Sequence, residues 1–241
     1  MRLHVIPTPF YAANCVIIVP DGSTTACVVD PSAGVIDTIA RILADEERTV
    51  GAVLCTHGHA DHVWEAAAAA SLNEDDSQVP VYIPGPDRYR MDDPLAHTPA
   101  PPQITAMLGE WRKPEDLRDF PAGSVELLDG LWMKMVPAPG HTEGSAVFIG
   151  HCDITVVVDG REVTSSTTPV PWALSGDVIF AGSVGRTDLP GGDETQMRHS
   201  LRTISNALDP QTFMIPGHGP VTTLAEEIAT NPYLSRARQI G

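Results

Sequence analysis

The sequence feature that most constrains the fold is a cluster of histidines directly after a short apolar run. Residues 50–55 are typical of a buried β-strand, and Thr-His-Gly-His-Ala-Asp-His follows at 56–62. In extended backbone, side chains two residues apart point to the same side, so His57 and His59 can converge on one ion. The chain must turn at Asp61 and His62 to begin a helix, which brings these two to a neighbouring position. Four such N and O donors suit a pair of divalent ions better than one structural zinc.

Three further metal-capable residues directly follow a glycine near the end of a predicted strand. They are His141, Asp177 and His218. Glycine lets the backbone bend towards a shared pocket at these points. Any one of them alone would be interpreted as an ordinary turn residue, and residues 56–62 alone could be a polar, exposed turn. Taken together, the seven side chains are sufficient for two coordination shells.

Short apolar runs alternate with helical patterns along the chain, which predicts a layered α/β fold. The predicted strands are 15–19, 26–29, 50–55, 79–83, 125–128, 131–136, 146–149, 154–158, 172–174, 178–180 and 213–215. The predicted helices are 36–43, 63–70, a stretch near 104–111, a helix capped by Asp193 with Gln196 placed for a capping box, and 225–230. Asp159-Gly160 predicts a tight hairpin turn within residues 150–171.

The chain shows no repeat and no linker-like segment, so we predict one domain over residues 1–241. Residues 84–122 are rich in proline and charge. We interpret them as an elaborated surface loop of that domain. A chain of this length can bury a sizeable core without disulfides.

Composition restricts the partners of the protein. Acidic residues outnumber basic ones by 31 to 15, giving a net charge of −16. Nucleic acid and anionic membranes both require clustered Lys and Arg, so we expect neither as a partner. We expect a small molecule as the substrate. The first residues do not resemble a signal peptide, and no apolar run is long enough to cross a bilayer. Four scattered cysteines are typical of reduced core residues, so we expect a cytoplasmic protein.

The pattern Thr-His-x-His-x-Asp-His, followed in order by Gly-His, Gly-Asp and Gly-His, resembles the metallo-β-lactamase superfamily. The run Phe-Ala-Gly-Ser-Val-Gly-Arg-Thr-Asp-Leu-Pro-Gly-Gly-Asp at 180–193 is similar to the glyoxalase II-like (hydroxyacylglutathione hydrolase-like) branch. The resemblance spans roughly residues 14–234. It implies an αββα four-layer sandwich with the active site at one rim of the two sheets.

The resemblance also implies a role for each candidate ligand. One metal would be held by His57, His59 and His141, and the other by Asp61, His62 and His218, with Asp177 bridging them. Asp61 and Asp177 would be the catalytic carboxylates, with Asp61 also orienting a hydroxide shared by the metals. We expect two divalent metal ions. Zinc is the first choice for their identity, and the same donors also accept iron or manganese.

The activity that this resemblance implies is hydrolysis of an acyl thioester of a small thiol, such as a 2-hydroxyacyl adduct. The shared hydroxide would attack, and the leaving thiolate needs no strong acid. The thiol carrier, glutathione or another small thiol, stays open. A persulfide dioxygenase with one iron is the alternative, since that family has the same His-x-His-x-Asp-His and a similar Gly-Arg-Thr-Asp. The Leu-Pro-Gly-Gly that follows Asp188 favours the hydrolase.

Arg186 is the candidate substrate-binding residue. It follows a glycine where the hydrolase branch tends to have a basic residue, so we predict contact with a substrate carboxylate. The alternative is a structural ion pair with Asp188 or Asp193.

Overall fold

Two mixed β-sheets form the centre of the computed structural model, which describes residues 1–74 and 77–239. In spatial order, the larger sheet contains β11 (Arg161–Ser165), β10 (Thr155–Val158), β1 (Arg2–Pro7), β2 (Asn14–Val19), β3 (Thr25–Val29), β4 (Thr49–Leu54), β5 (Val81–Ile83) and β6 (Leu117–Asp119). The smaller sheet contains β14 (Thr222–Thr223), β13 (Phe213–Pro216), β12 (Val170–Gly176), β9 (Ala146–Cys152), β8 (Leu131–Pro137) and β7 (Ser124–Leu128).

The central strands of the larger sheet are buried on both faces. Along β2, Val16 and Ile18 point into the core between the two sheets, whereas Cys15, Ile17 and Val19 point into a second core on the other face. This follows from the two-residue period of a strand, which sends successive side chains to opposite faces. A strand that is apolar at every position therefore requires cover on both sides of its sheet.

Helices provide the outer cover. They are α1 (Ile36–Asp45), α2 (Ala60–Val63), α3 (Ala66–Ala70), α4 (Pro102–Thr105), α5 (Glu194–Ala207), α6 (Leu224–Thr230) and α7 (Pro232–Gln239). Apolar side chains of α1 and α3 pack on the larger sheet, and those of α5, α6 and α7 pack on the smaller one. The predicted αββα sandwich is confirmed. Within residues 1–74 and 77–239, no helix is long and apolar enough to span a membrane.

The strands that carry the candidate ligands end at one rim of the sandwich. β4 ends at Leu54 just before the histidine cluster, β12 ends at Gly176, and β13 ends at Pro216. β12 and β13 are parallel neighbours, so their carboxyl ends meet. Asn14 of the larger sheet donates its side-chain Nδ2 to the carbonyl oxygen of Pro216 at 2.9 Å. This bond joins the two sheets at the rim.

Three predicted elements differ from the structure. Residues 178–180 are not a strand, because the chain turns after Asp177 and Val178 donates its N–H back to Ser175. The predicted helix at 63–70 is divided between α2 and α3, and the Glu65 carboxylate at the break accepts the N–H groups that begin α1. The stretch near 104–111 is helical only at α4, Pro102–Thr105.

Three strands were not predicted at all, namely β1, β6 and β14. The predicted hairpin is present as β10 and β11 at the edge of the larger sheet. Its central residues, Asp159 (φ 47°) and Gly160 (φ 75°), both have the left-handed backbone that a two-residue hairpin turn favours.

Residues 84–122 are not simply a surface loop. They contain two 3₁₀ helices, Gly85–Asp92 and Pro94–Ala96, as well as α4 and β6. The first 3₁₀ helix buries Asp87, Arg90 and Met91. The proline and charge content suggested an exposed segment, but Asp87 and Arg90 are buried against the loops at the rim.

Candidate metal centre

The structure brings all seven predicted side chains together at the rim. Their candidate ligand atoms form three overlapping groups, and within each group the atoms lie within 4.8 Å of one another. The groups are His57, His59 and His141; His57, His62 and Asp177; and Asp61, His62 and His218. Because the groups share His57 and His62, the seven side chains surround one continuous space rather than separate regions.

The first group consists of three buried imidazoles. The Nδ1 atom of His59 lies 2.8 Å from Nε2 of His141. Within the described part of the chain, Nε2 of His57 and Nε2 of His59 are buried and have no hydrogen-bond partner. Leaving such a group unsatisfied costs about 1–3 kcal/mol, so buried polar atoms nearly always have a partner. Imidazole nitrogens in this arrangement fit a divalent cation.

The set of Asp61, His62 and His218, called the second group from here on, combines one carboxylate with two imidazoles, and the set of His57, His62 and Asp177 overlaps both this group and the first. The Nε2 atoms of His62 and His218 lie 3.2 Å apart, and Nε2 of His218 is 3.3 Å from Oδ2 of Asp61. A mixed nitrogen and oxygen donor set of this kind accepts zinc, iron or manganese.

Asp177 lies between the two groups. Its Oδ2 atom is 3.4 Å from Nε2 of His141 and 3.5 Å from Nε2 of His218. Its Oδ1 atom is 3.4 Å from Nε2 of His62. One carboxylate thus faces imidazoles of both groups, which is the position that a bridging ligand requires.

Neighbouring acceptors orient the imidazole rings. Nδ1 of His141 donates to the carbonyl oxygen of Arg186 at 2.7 Å, and Nδ1 of His218 donates to that of Tyr11 at 3.1 Å. Since a carbonyl oxygen only accepts, each Nδ1 carries a proton, so in the neutral ring the lone pair is on Nε2 and is directed at the centre.

Asp30 orients His62, and the sequence analysis did not identify it. Its Oδ2 atom lies 2.9 Å from Nδ1 of His62. The same carboxylate accepts the backbone N–H and the hydroxyl of Thr56, both at 2.7 Å. The signal available in the sequence was a lone aspartate directly after the apolar strand β3, the same placement that the ligands share.

Glycine is required at two positions next to Asp177. Gly176 has φ +46°, a left-handed backbone that other residues rarely adopt. A Cβ atom on Gly217 would lie 2.2 Å from Oδ1 of Asp177. The glycines were expected to let the chain bend, and Gly217 in addition provides the space that the carboxylate occupies.

Burial and neighbouring imidazoles keep the first group neutral. Burial, together with the nearby His141, lowers the pKa of His59 to about 2. Burial and the surrounding histidines hold the pKa of His57 well below its ordinary value. Both rings are therefore unprotonated at neutral pH and keep lone pairs for a cation.

Carboxylates have the opposite effect on the second group. Burial disfavours the charged form of His62, but Asp177, Asp61 and Asp30 outweigh burial and raise its pKa to about 10. Burial likewise opposes charge on His218, yet its bond to Asp61 raises its pKa. Burial would raise the pKa of Asp61, but the charges of His62 and His218 hold it at about 2. Without a metal, His62 is therefore protonated at neutral pH.

A cavity of about 440 Å³ opens onto the candidate centre. It is lined by Tyr11, His59, Asp61, Thr98, Pro99, His141, Asp177, Phe180, Val184, Arg186, Leu189 and His218. Besides the candidate ligands, the titratable residues among these are Tyr11 and Arg186. Among the described residues that line the cavity, every carboxylic acid and every histidine is therefore already a candidate ligand.

Arg186 lies in the cavity wall and is exposed, and it forms an ion pair. Its Nε and Nη2 atoms donate to the two carboxylate oxygens of Asp188 at 2.6 and 2.7 Å. The alternative structural pair is therefore present. Contact between Arg186 and a substrate carboxylate stays a prediction.

The chain is similar to proteins of known family. The profile of the metallo-beta-lactamase superfamily matches residues 8–158. Hydroxyacylglutathione hydrolase GloC of Haemophilus influenzae (strain ATCC 51907 / DSM 11121 / KW20 / Rd) is 30% identical over 241 residues, covering 98% of this chain and 99% of the relative.

Solved structures agree with this similarity. The BLEG-1 B3 metallo-beta-lactamase has a TM-score of 0.72 at 26% identity, covering 97% of this chain and 99% of that one. TTHA1623 in a di-iron-bound form has a TM-score of 0.70 at 26% identity, covering 95% and 98%.

Proposed function

This chain belongs to the metallo-β-lactamase superfamily, and from that membership we propose that it hydrolyses the acyl thioester of a small thiol with two divalent ions. The convergence of the seven donor side chains on one centre, five of which also line one cavity, carries the proposal. His57, His59 and His141 would hold one ion, and Asp61, His62 and His218 the other. Asp177 would bridge them.

The ions would supply the electrophile and the nucleophile. When bound, they lower the pKa of a shared water towards about 7 and polarise the carbonyl of the thioester. Zinc is the ion that we propose, and the di-iron form of TTHA1623 shows that a similar structure holds iron.

Residues of the chain position the reactants. The Asp61 carboxylate, with a pKa of about 2, is ionised at neutral pH and can accept a hydrogen bond from the attacking water. Phe180, Val184 and Leu189 give the cavity an apolar wall against which an acyl group can pack. Arg186 lies at the same cavity, where its guanidinium can bind a substrate carboxylate.

Among the described residues of the cavity lining, the carboxylic acids and histidines are all candidate ligands, which favours a thioester over an amide as the substrate. A simple thiol titrates near pH 8.5, so a thiolate can leave without first gaining a proton. An amine leaving group requires protonation, and among the described residues of the cavity lining no carboxylic acid or histidine outside the candidate ligands can supply that proton. The similarity to the H. influenzae hydroxyacylglutathione hydrolase supports the same substrate class.

The test combines metal content and thioester turnover on one preparation. Metal-free protein reconstituted with two equivalents of Zn²⁺ should hydrolyse S-lactoylglutathione or another thioester in a panel of small thiols. Chelation should abolish the activity, and so should His141→Ala. Surface variant Asp92→Asn, which alters a carboxylate outside the cavity lining, should retain it.

No turnover of any thioester by a fully metallated preparation would overturn the proposal. A preparation that contains a single iron and consumes oxygen on glutathione persulfide would instead identify a persulfide dioxygenase.

A further inference from the structure

The buried carboxylate of Asp87 contacts two of the loops that carry candidate ligands. It lies in the 3₁₀ helix Gly85–Asp92, far in sequence from either loop, and its exposure is 0%. Its Oδ2 atom accepts the N–H of Gly58 at 2.8 Å and the hydroxyl of Thr142 at 2.7 Å. Its Oδ1 atom accepts the N–H of Gly144 at 2.7 Å.

These contacts lie next to the three imidazoles of the first group. Gly58 stands between His57 and His59, and Thr142 directly follows His141. One carboxylate thus fixes the backbone on both sides of the 2.8 Å approach between His59 and His141. Asp30, by contrast, contacts His62 of the second group.

Glycine is needed where Asp87 approaches the two loops. A Cβ atom on Gly144 would lie 2.6 Å from Cγ of Asp87, and one on Gly58 would lie 2.8 Å from Cβ of Arg90. These distances are too short for any other residue without displacement of the 3₁₀ helix. The two loops and the helix are therefore fitted closely to one another.

Arg90 extends the same support to a third loop. Its guanidinium is buried, and its Nε lies 3.3 Å from Oδ1 of Asp87. Its Nη2 donates to the Glu143 carboxylate and, at 2.8 Å, to the carbonyl oxygen of Pro190. A buried carboxylate is costly unless it is paired and hydrogen-bonded, and Arg90 supplies the opposite charge.

We propose that Asp87 is a positioning residue for the first metal: it holds the His57–His59 loop and the His141 loop at the separation that lets their three imidazoles bind one ion. This gives the segment 84–122 a function, which is support of one half of the centre. The inference goes beyond the proposed reaction, because it concerns metal binding and requires no substrate.

The test measures Zn²⁺ affinity by competition with a chelator. Asp87→Asn preserves size but places an amide NH₂ against at least one of the three donors, so at least one hydrogen bond is lost. Loss of such a partner lowers metal affinity by about 10- to 100-fold, and we expect this for one of two ions. Asp92→Asn, on the same 3₁₀ helix but exposed, is the matched control and should bind both Zn²⁺ ions with wild-type affinity.

Two backgrounds identify which ion is affected. In the His218→Ala background, which disrupts the second group, adding Asp87→Asn should lower the affinity for the remaining Zn²⁺ ion by the same factor. In the His141→Ala background, which disrupts the first group, adding Asp87→Asn should leave the affinity for the remaining Zn²⁺ ion unchanged. An Asp87→Asn protein with wild-type affinity for both ions, or with equal loss in both backgrounds, would overturn the proposal, as would a wild-type chain that binds no Zn²⁺.

Thr142→Val provides a milder variant if Asp87→Asn does not fold. Thr142→Val keeps the Asp87 carboxylate and removes one of its hydrogen bonds. It should therefore lower the affinity of the first group for Zn²⁺ by a smaller factor. Unchanged affinity in Thr142→Val together with an unfolded Asp87→Asn would mean that Asp87 acts on the fold alone, which contradicts the proposal. Normal metal binding without thioester turnover would overturn the proposed function and leave this inference intact.

Discussion

At the scale of single residues, each half of the candidate centre is arranged by a buried carboxylate behind it. Asp30 orients His62, and Asp87 fixes the loops around His57, His59 and His141. The donors themselves could be predicted, because their spacing and their position after strand ends indicate chemistry. The supporting roles of Asp30 and Asp87 could not be predicted, because their partners are distant in sequence and only the fold brings them together.

The two groups should differ in the protons that they release on binding a metal. His57 and His59 have lowered pKa values and are already neutral at pH 7, whereas His62, with a pKa of about 10, is protonated. A metal requires the deprotonated ring, so binding to the second group at pH 7 should release a proton. The affinity of the second group for Zn²⁺ should therefore rise about tenfold per pH unit from pH 6 to 8.

Calorimetric titration of Zn²⁺ in buffers of different ionisation enthalpy measures this release. Two variants are compared: His218→Ala retains the first group, and His141→Ala retains the second. Zn²⁺ binding to His218→Ala should release fewer protons than binding to His141→Ala. Equal release from the two variants would contradict the assignment of protons to the second group.

At the scale of elements, strand ends were easier to predict than turns and helix breaks. β12 and β13 are apolar and close to their predicted positions. Residues 178–180 were predicted as a strand because they are apolar, but Val178 and Ile179 are buried against helices of the outer layer while the backbone turns. Hydrophobicity reports burial, and it does not by itself separate a strand from a buried turn.

The N-cap of α5 should contribute measurably to stability. Asp193 accepts the N–H of Gln196 at 2.9 Å, as its position before the helix predicted. Gln196 returns its side chain to the Asp193 carboxylate at 3.4 Å rather than to the backbone N–H, so the predicted capping box is incomplete. Asp193→Ala should lower the free energy of unfolding by about 0.5–2 kcal/mol.

Urea unfolding of the metal-free protein measures this loss. Asp193→Asn retains a cap oxygen and should stay close to wild type, and Glu194→Ala, in the exposed first turn, controls for loss of charge near the helix N-terminus. A loss in Asp193→Asn as large as in Asp193→Ala would show that the cap oxygen is not the cause.

At the scale of the whole molecule, the layered architecture could be predicted but the strand order could not. Alternating apolar runs and helical patterns indicate helices around sheets. The pairing of β1 with β10, whose first partners are Arg2 and Thr155, joins strands that are distant in sequence, and no local sequence pattern predicts it. The segment 84–122 was misjudged for the same reason, since Asp87 and Arg90 are buried only through distant partners.

Metal binding should stabilise the whole fold. The seven donors come from loops and the short helix α2, all of which follow strands of the two sheets, so ions that bind the folded chain and not the unfolded one favour the assembled sandwich. At a free concentration of 100 times the Kd, each site adds about 2.7 kcal/mol. Differential scanning calorimetry should show a rise in Tm with added Zn²⁺, and a smaller rise in His141→Ala. A Tm independent of Zn²⁺ would contradict binding at this site.

Anomalous diffraction from crystals of the zinc-loaded protein tests the paired-metal centre most directly. We expect two anomalous peaks about 3.5–4 Å apart. One should lie next to His57, His59 and His141, the other next to Asp61, His62 and His218, and both next to Asp177. A single peak, or peaks away from these side chains, would contradict it.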